Sequence, residues 1–221
     1  MFSANAFDLL AELHANNNKD WFNTHRDEVR GNIQHPFAAL LERVTERLSE
    51  TDVPLVGSER TMFRMNRDVR FSHDKSPYQT HVSGMLTQDG SKAEADGIGY
   101  VHLDRSGGFV AVGWYKLTPK ELGPIRDHIV ENAADFQDVV DALGKAKFEL
   151  SQEQLLTAMP RGYSEHADSP IAPYLKLQTL MVQRALPKSA WSSDDVVDRI
   201  VATIVGAAPL LKFGRERSVT R

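Results

Sequence analysis

The run Gly99-Tyr100-Val101-His102-Leu103-Asp104, the link Arg105-Ser106-Gly107 and the run Gly108-Phe109-Val110-Ala111-Val112-Gly113-Trp114-Tyr115-Lys116 together decide the class of fold. Two β-prone runs joined by a short polar link that contains glycine read as a hairpin. So short a link cannot make the crossover that parallel strands require, so the two arms run antiparallel. Upstream, Val82 to Thr87 reads as a further strand, separated from the hairpin by the polar loop Gln88 to Gly97. Before it, Phe63, Met65, Val69 and Phe71 alternate with Arg64, Asn66, Asp68 and Arg70, the period of a half-buried strand. Arg67 is the one charged residue in the apolar register. Lys147 to Leu150 adds a short strand, so the expectation is a mainly antiparallel sheet of about four to five strands.

Helices are predicted on both sides of these strands. Phe7, Leu10, Ala11 and His14 recur at helical spacing until Asn16-Asn17-Asn18. A second stretch carries Phe22, His25, Val29 and Ile33 and resumes through Phe37, Leu40, Leu41, Val44 and Leu48, with a kink or break expected at Pro36. Thr118-Pro119-Lys120-Glu121 is a capping box with proline at the first helical position, and Leu122, Ile125 and Ile129 follow it. Phe136, Val139, Val140 and Leu143 form another helical face, closed by Gly144. Met159 to Leu180 reads as an ordered loop with short turns. The last helix starts after Ser192 or Ser193, buries Val197, Ile200, Val201 and Ile204, and is expected to end at Pro209. The fold class is therefore α+β, a sheet packed by N-terminal and C-terminal helices. One domain is expected over residues 1–213, with a basic, frayed tail over 214–221.

Composition narrows the function classes. The 221 residues include 26 Lys and Arg against 30 Asp and Glu, a net charge of -4, and nucleic-acid binders normally show the reverse balance. There is no cysteine, which excludes disulfides, thiolate zinc sites and cysteine nucleophiles. No signal segment is visible at Met1-Phe2-Ser3-Ala4-Asn5, and no apolar run has the length a membrane helix needs. A cytoplasmic protein without a membrane or nucleic-acid partner is expected.

The chemistry concentrates in Arg67-Asp68-Val69-Arg70-Phe71-Ser72-His73-Asp74-Lys75-Ser76-Pro77-Tyr78-Gln79-Thr80-His81. Arginine presents a planar fork to a carboxylate or phosphate, and lysine a point charge. The leading expectation is a pocket for a small anionic molecule, with Arg67, Arg70 and Lys75 as clamps and Ser72 and Tyr78 as further ligand contacts. Asp68, Asp74 and His81 are its candidate catalytic bases, for hydrolysis or group transfer. The alternative is a structural or protein-interaction module, in which the same charges only hold a turn. The loop Pro160-Arg161-Gly162-Tyr163, with His166, would complete a cationic pocket through Arg161 if it folds over Arg67 and Arg70. His73, Asp74 and His81 lack metal-site spacing, Ser72 and Ser76 sit on no nucleophile elbow, and no nucleotide fingerprint appears. No metal and no cofactor is expected. Trp21 and Phe22 are expected in the core, with Arg26 free to approach the strand cluster.

The Arg67–His81 segment resembles the signature of a family of conserved hypothetical proteins, number twenty-four sixty-one in the domain-of-unknown-function series. Its pattern is R-D-x-R-F-S-x-D-K-x-P-Y-K-x-H. The likeness extends to Asn16-Asn17-Asn18-Lys19-Asp20-Trp21-Phe22, His25-Arg26, Gly108-Phe109-Val110 with Gly113, Leu122 to Arg126, and Pro160 to Tyr163 with His166. Two positions depart from it. Gln79 stands where lysine is usual, which removes one cation from the expected anion site, and Leu117 stands where a proline is usual. The resemblance implies one domain over most of the chain and carries no activity with it.

Overall fold

A computed structural model describes residues 2–92 and 96–216. Helix α1 (Ala4–Ala15) buries Phe7, Leu10 and Leu13 and stops at Asn16. The Asn18 side chain then accepts a hydrogen bond from the backbone of Trp21 and caps α2 (Lys19–Thr24). A short α3 (Arg26–Val29) runs into a wide π turn, Arg30–Gln34, and then into α4 (His35–Leu48). The break expected at Pro36 takes this form, since the wide turn makes room for a ring that lacks an N–H and would crowd the preceding turn.

The sheet has four strands, β1 (His81–Leu86), β2 (Ile98–Asp104), β3 (Gly107–Trp114) and β4 (Leu180–Pro187), antiparallel throughout and in the order β1-β2-β3-β4. The hairpin at Arg105-Ser106 is as expected. Two strand expectations fail. Phe63 to Phe71 forms no strand: Asn66 makes an isolated bridge to Tyr78, Met62 just before the segment bridges Gly84, and Phe71 is 95% exposed. Alternation there was real in the sequence, but Asp68 and Asp74 hydrogen-bond the backbone amides two residues on and turn the chain away from the sheet. Lys147 to Leu150 likewise forms no strand, with Lys147 at φ 59°. Its neighbour Ser151 instead donates its amide to the carbonyl of Met181.

The remaining strand is β4, which follows the Met159–Leu180 loop and has no regular apolar–polar alternation to announce it. It joins β3 through a close approach at Gly113, whose φ is 132° and where a Cβ would run into the Leu180 carbonyl.

Strand alternation gives the sheet two unlike faces. Val82 and Leu86, Val101 and Leu103, Val110, Val112 and Trp114, and Val182 and Leu186 are all buried in the main core. Gly84 lies under Phe37 and Leu41 of α4, and Gly99 under Ile204 of α9 (Asp195–Gly206), which sets both helices on this face. The same core takes buried residues from α5 (Pro119–Glu131), α6 (Ala133–Lys145), α7 (Ala172–Leu175) and α8 (Lys188–Trp191). Both bonds of the Thr118–Glu121 capping box are present. Pro209 begins α10 (Ala208–Glu216) instead of ending the chain's last helix, because a proline in a first turn lacks only an N–H that would have no partner there. Gly214 lies directly against the Trp114 indole, so the helix, and not a tail, occupies 214–216; residues 217–221 lie outside the described residues. Among the described residues no helix is long and apolar enough to cross a membrane.

Candidate functional site

Among the described residues no helix covers the second face of the sheet, and a cavity of about 750 Å³ lies on it. Its floor is the other half of the strand alternation, with His81, Ser83 and Met85 from β1 and Ile98, Tyr100 and His102 from β2. Phe109 and Ala111 from β3 and Met181 and Gln183 from β4 complete it. One wall is the irregular segment that bridges to β1, contributing Phe63, Arg64 and Asn66. Tyr115, just past the end of β3, and Glu153, beside β4, complete the lining. An apolar, aromatic concavity with a few polar groups converging on it is the usual form of a small-molecule site.

The floor is unusually rich in imidazole and phenol. The rings of His81 and His102 lie 4.2 Å apart, and His102 stacks on Phe109 at 4.8 Å. The cause is register: Ser83 pairs with His102 and His81 with Asp104, so the two histidines are diagonal neighbours on one face. His102 has a polar group at each ring nitrogen. Nδ1 is 3.3 Å from the Tyr100 hydroxyl, and Nε2 is 3.6 Å from an Asp104 carboxylate oxygen.

Burial, followed by the nearby His81 ring, drives the pKa of His102 down to about 4, and burial lowers that of His81 as well. Both imidazoles are therefore neutral at pH 7. Burial raises the Tyr100 phenol, with a hydrogen bond from Ser83 acting the other way. Burial is the largest influence on Asp104 and works to raise it, but the hydrogen bonds from Ser106, with smaller contributions from His102 and the Gly107 amide, together make the net shift downward. Among the described residues no three His, Asp or Glu side chains converge as a metal-ligand set.

The sequence-predicted residues are placed differently. Of them, only His81 lines the cavity. Arg67 donates to Asp74 at 2.5 Å and to the Ser76 carbonyl at 2.9 Å. Hydrogen bonds from Ser76, and then from Arg67, hold the Asp74 carboxyl down at about 2. Arg70 forks onto Asp68 through Nε and Nη2 at 3.0 and 2.7 Å, with its side chain 77% exposed. Lys75 donates to the Val69 carbonyl, and Ser72 is half-buried beneath the same turn. The cations of the loop are thus held by oxygens of the loop itself. Tyr78 is buried against Phe22 at 3.8 Å, and its backbone is bonded in both directions by the Asn17 side chain. Arg161 is exposed. Its loop is tied to α5 by the Tyr163 hydroxyl, which bonds Asp127 and the Gly123 carbonyl, and among the described residues no hydrogen bond links it to Arg67–His81. Arg26 bonds Asn23 and does not join the cluster.

Tyr100, His102, Asp104 and Ser83 were not singled out in the sequence. The signal was present: in Tyr100-Val101-His102-Leu103-Asp104 the polar residues occupy alternate positions, which a strand must put on one face. Comparison with known proteins places the chain without assigning the site. No curated protein and no solved structure matches it. A family model described as a conserved hypothetical protein does match, over residues 5–213, a span that takes in every strand of the sheet and the whole floor of the cavity. The chain belongs to this family, DUF2461.

Proposed function

We propose that the cavity on the second face of the sheet binds a small organic molecule with a flat apolar body and one anionic group, a carboxylate or a phosphate. The observation that carries this reading is the floor of adjoining rings, His102 stacked on Phe109 with His81 and Tyr100 tilted beside them, beneath a cavity large enough for such a body. Charge orients the molecule. Arg64 stands on the β1 wall, within electrostatic reach of Asp68 but in no salt bridge among the described residues, while Lys92 lies 5.5 Å over the neighbouring Phe63 ring. Glu153 stands beside β4 and repels an anion. The anionic group therefore belongs at Arg64, where the anion-binding expectation moves from the loop cations to the cavity rim. Hydrolysis or group transfer is the chemistry the polar floor suits, and the cysteine-free chain fits a cytoplasmic setting.

The test is a thermal-shift screen against aromatic carboxylates and phosphate monoesters, run beside Arg64→Ala and Arg70→Ala. A ligand at a hundred times its dissociation constant adds about 2.7 kcal/mol, and each kcal/mol raises the melting temperature of a chain this size by roughly 2–4 °C. A rise lost in Arg64→Ala and kept in Arg70→Ala supports the cavity. A rise lost only in Arg70→Ala returns the site to the loop, and no rise with any compound removes the reading.

One observation favours the interaction module as a second reading. The loop closes its own charges and holds Phe71 95% exposed. A loop that closes its own charges and presents one aromatic side chain is suited to anchoring a protein partner.

A further inference from the structure

Resting on the reading of the cavity as a ligand site, we infer that Tyr100 is its catalytic proton-transfer residue, with His102 as the base behind it and Asp104 as a positioning residue. The substrate is then a hydroxylated aromatic or similarly flat carboxylate or phosphate, whose hydroxyl lies over Tyr100 while its anionic group meets Arg64.

The direction of the hydrogen bonds is what singles out Tyr100. An ionised Asp104 can only accept, so the imidazole nitrogen facing it, Nε2 at 3.6 Å, carries the ring proton. That leaves the lone pair of Nδ1 facing the Tyr100 hydroxyl at 3.3 Å, and the phenol donates to it. The Tyr100 oxygen is then open to accept from the Ser83 hydroxyl and from a ligand hydroxyl above it. Every proton in the chain from Ser83 to Asp104 points the same way.

A shift of two protons follows that path. The ligand O–H breaks as its proton bonds to the Tyr100 oxygen, and the phenolic O–H breaks as its proton bonds to Nδ1. The ligand oxygen gains one negative charge, His102 gains one positive charge, and Tyr100 ends neutral. The new imidazolium faces Asp104, while His81 at 4.2 Å must remain neutral for the step to proceed. Asp104 is held in place for this by its other oxygen, which accepts from the amide and the hydroxyl of Ser106 in the hairpin turn at 2.7 and 2.6 Å. Contacts slightly longer than ideal hydrogen bonds are common in catalytic groups before a ligand tightens them.

An arylsulfonyl fluoride tests the chain without a known substrate. The Tyr100 oxygen forms a bond to sulfur, the sulfur–fluorine bond breaks, fluoride leaves, and the phenolic proton passes to His102. Peptide mass spectrometry locates the label. At pH 7.5 the expected result is labelling of Tyr100 that falls at least about tenfold in His102→Asn, since a positioned base contributes on the order of a hundredfold or more. An unchanged rate of Tyr100 labelling in His102→Asn overturns the relay.

A long-range proton–nitrogen NMR spectrum of the unmutated protein gives a second measurement that no folding defect can confuse. The neutral His102 ring is expected with its proton on Nε2, and a proton on Nδ1 overturns the proposal. Protection of Tyr100 from the reagent by 4-hydroxybenzoate reports on the cavity alone. Protection retained while His102→Asn leaves the rate unchanged means that the relay is wrong and the cavity stands. Absence of protection together with no thermal shift means that the cavity reading itself has failed.

Discussion

His81 and His102 face each other across β1 and β2 with ring centroids 4.2 Å apart, each buried enough that its proton is held more weakly than in water. An unfolded chain binds a proton at an ordinary histidine near pH 6.5, whereas folded His102 does not until about pH 4. Between these values the unfolded state carries more protons, so stability falls as pH falls through that window and levels off below it. Asp104 is the carboxylate facing the pair. Its pKa is lowered below 3.8, so it adds its own loss of stability only at still lower pH. The expected loss across the histidine window is on the order of 2 kcal/mol, allowing for solvent that reaches the cavity. Urea melts at pH 7, 5.5 and 4.5 check it, and His102→Asn flattens the dependence.

Arg70 is conspicuous in the sequence and Arg126 is not, yet the second matters more to the fold. Arg126 is 5% exposed and donates to the carbonyls of Leu175 at 2.7 Å and Leu177 at 3.2 Å. Burial lowers its pKa, and its hydrogen-bond acceptors are backbone carbonyls. Arg126→Met strands two buried acceptors and is expected to cost about 2–4 kcal/mol. Arg70→Ala removes only an exposed ion pair and is expected to leave stability nearly unchanged. Paired denaturant melts check the ordering, and equal losses contradict it.

The Asn17 side chain clamps the backbone of Tyr78 through two hydrogen bonds of 2.8 and 3.1 Å. This clamp joins the turn after α1 to the chain just before β1 and steadies the strip that forms one wall of the cavity. Asn17→Ala is expected to lower stability by about 1–3 kcal/mol and to speed amide exchange at Gln79 and Arg67, whose amides bond Met65 and Pro77. Exchange unchanged at those two amides rejects the clamp.

Gly113 admits no side chain. At φ 132° and against the Leu180 carbonyl, an alanine both strains the backbone and separates β3 from β4. Gly113→Ala is expected to cost about 3 kcal/mol or more. Gly123→Ala, in a helix with open space around it, is expected to be neutral or slightly stabilising. Thermal melts of the two variants side by side decide the matter.

Local chemistry alone determined much of this protein. The Arg105-Ser106-Gly107 link set the β2–β3 hairpin, the Thr118-Glu121 pair set the start of α5, and apolar spacing set α1, α4, α6 and α9, because each depends on neighbours within a few residues. Only the tertiary structure decided the rest. β4 is a strand because β3 offers it an edge, and Phe63–Phe71 is not one because Asp68 and Asp74 bond the backbone locally. The dense charge of Arg67–His81 marked the segment as special. It could not show that each cation is already held by an oxygen of its own loop. Tyr100, His102 and Asp104 could be placed on one face by alternation. Which face no helix covers among the described residues, and that His81 and Ser83 would stand beside them, followed only from strand register and from where α4 and α9 pack, contacts that join residues far apart in the chain.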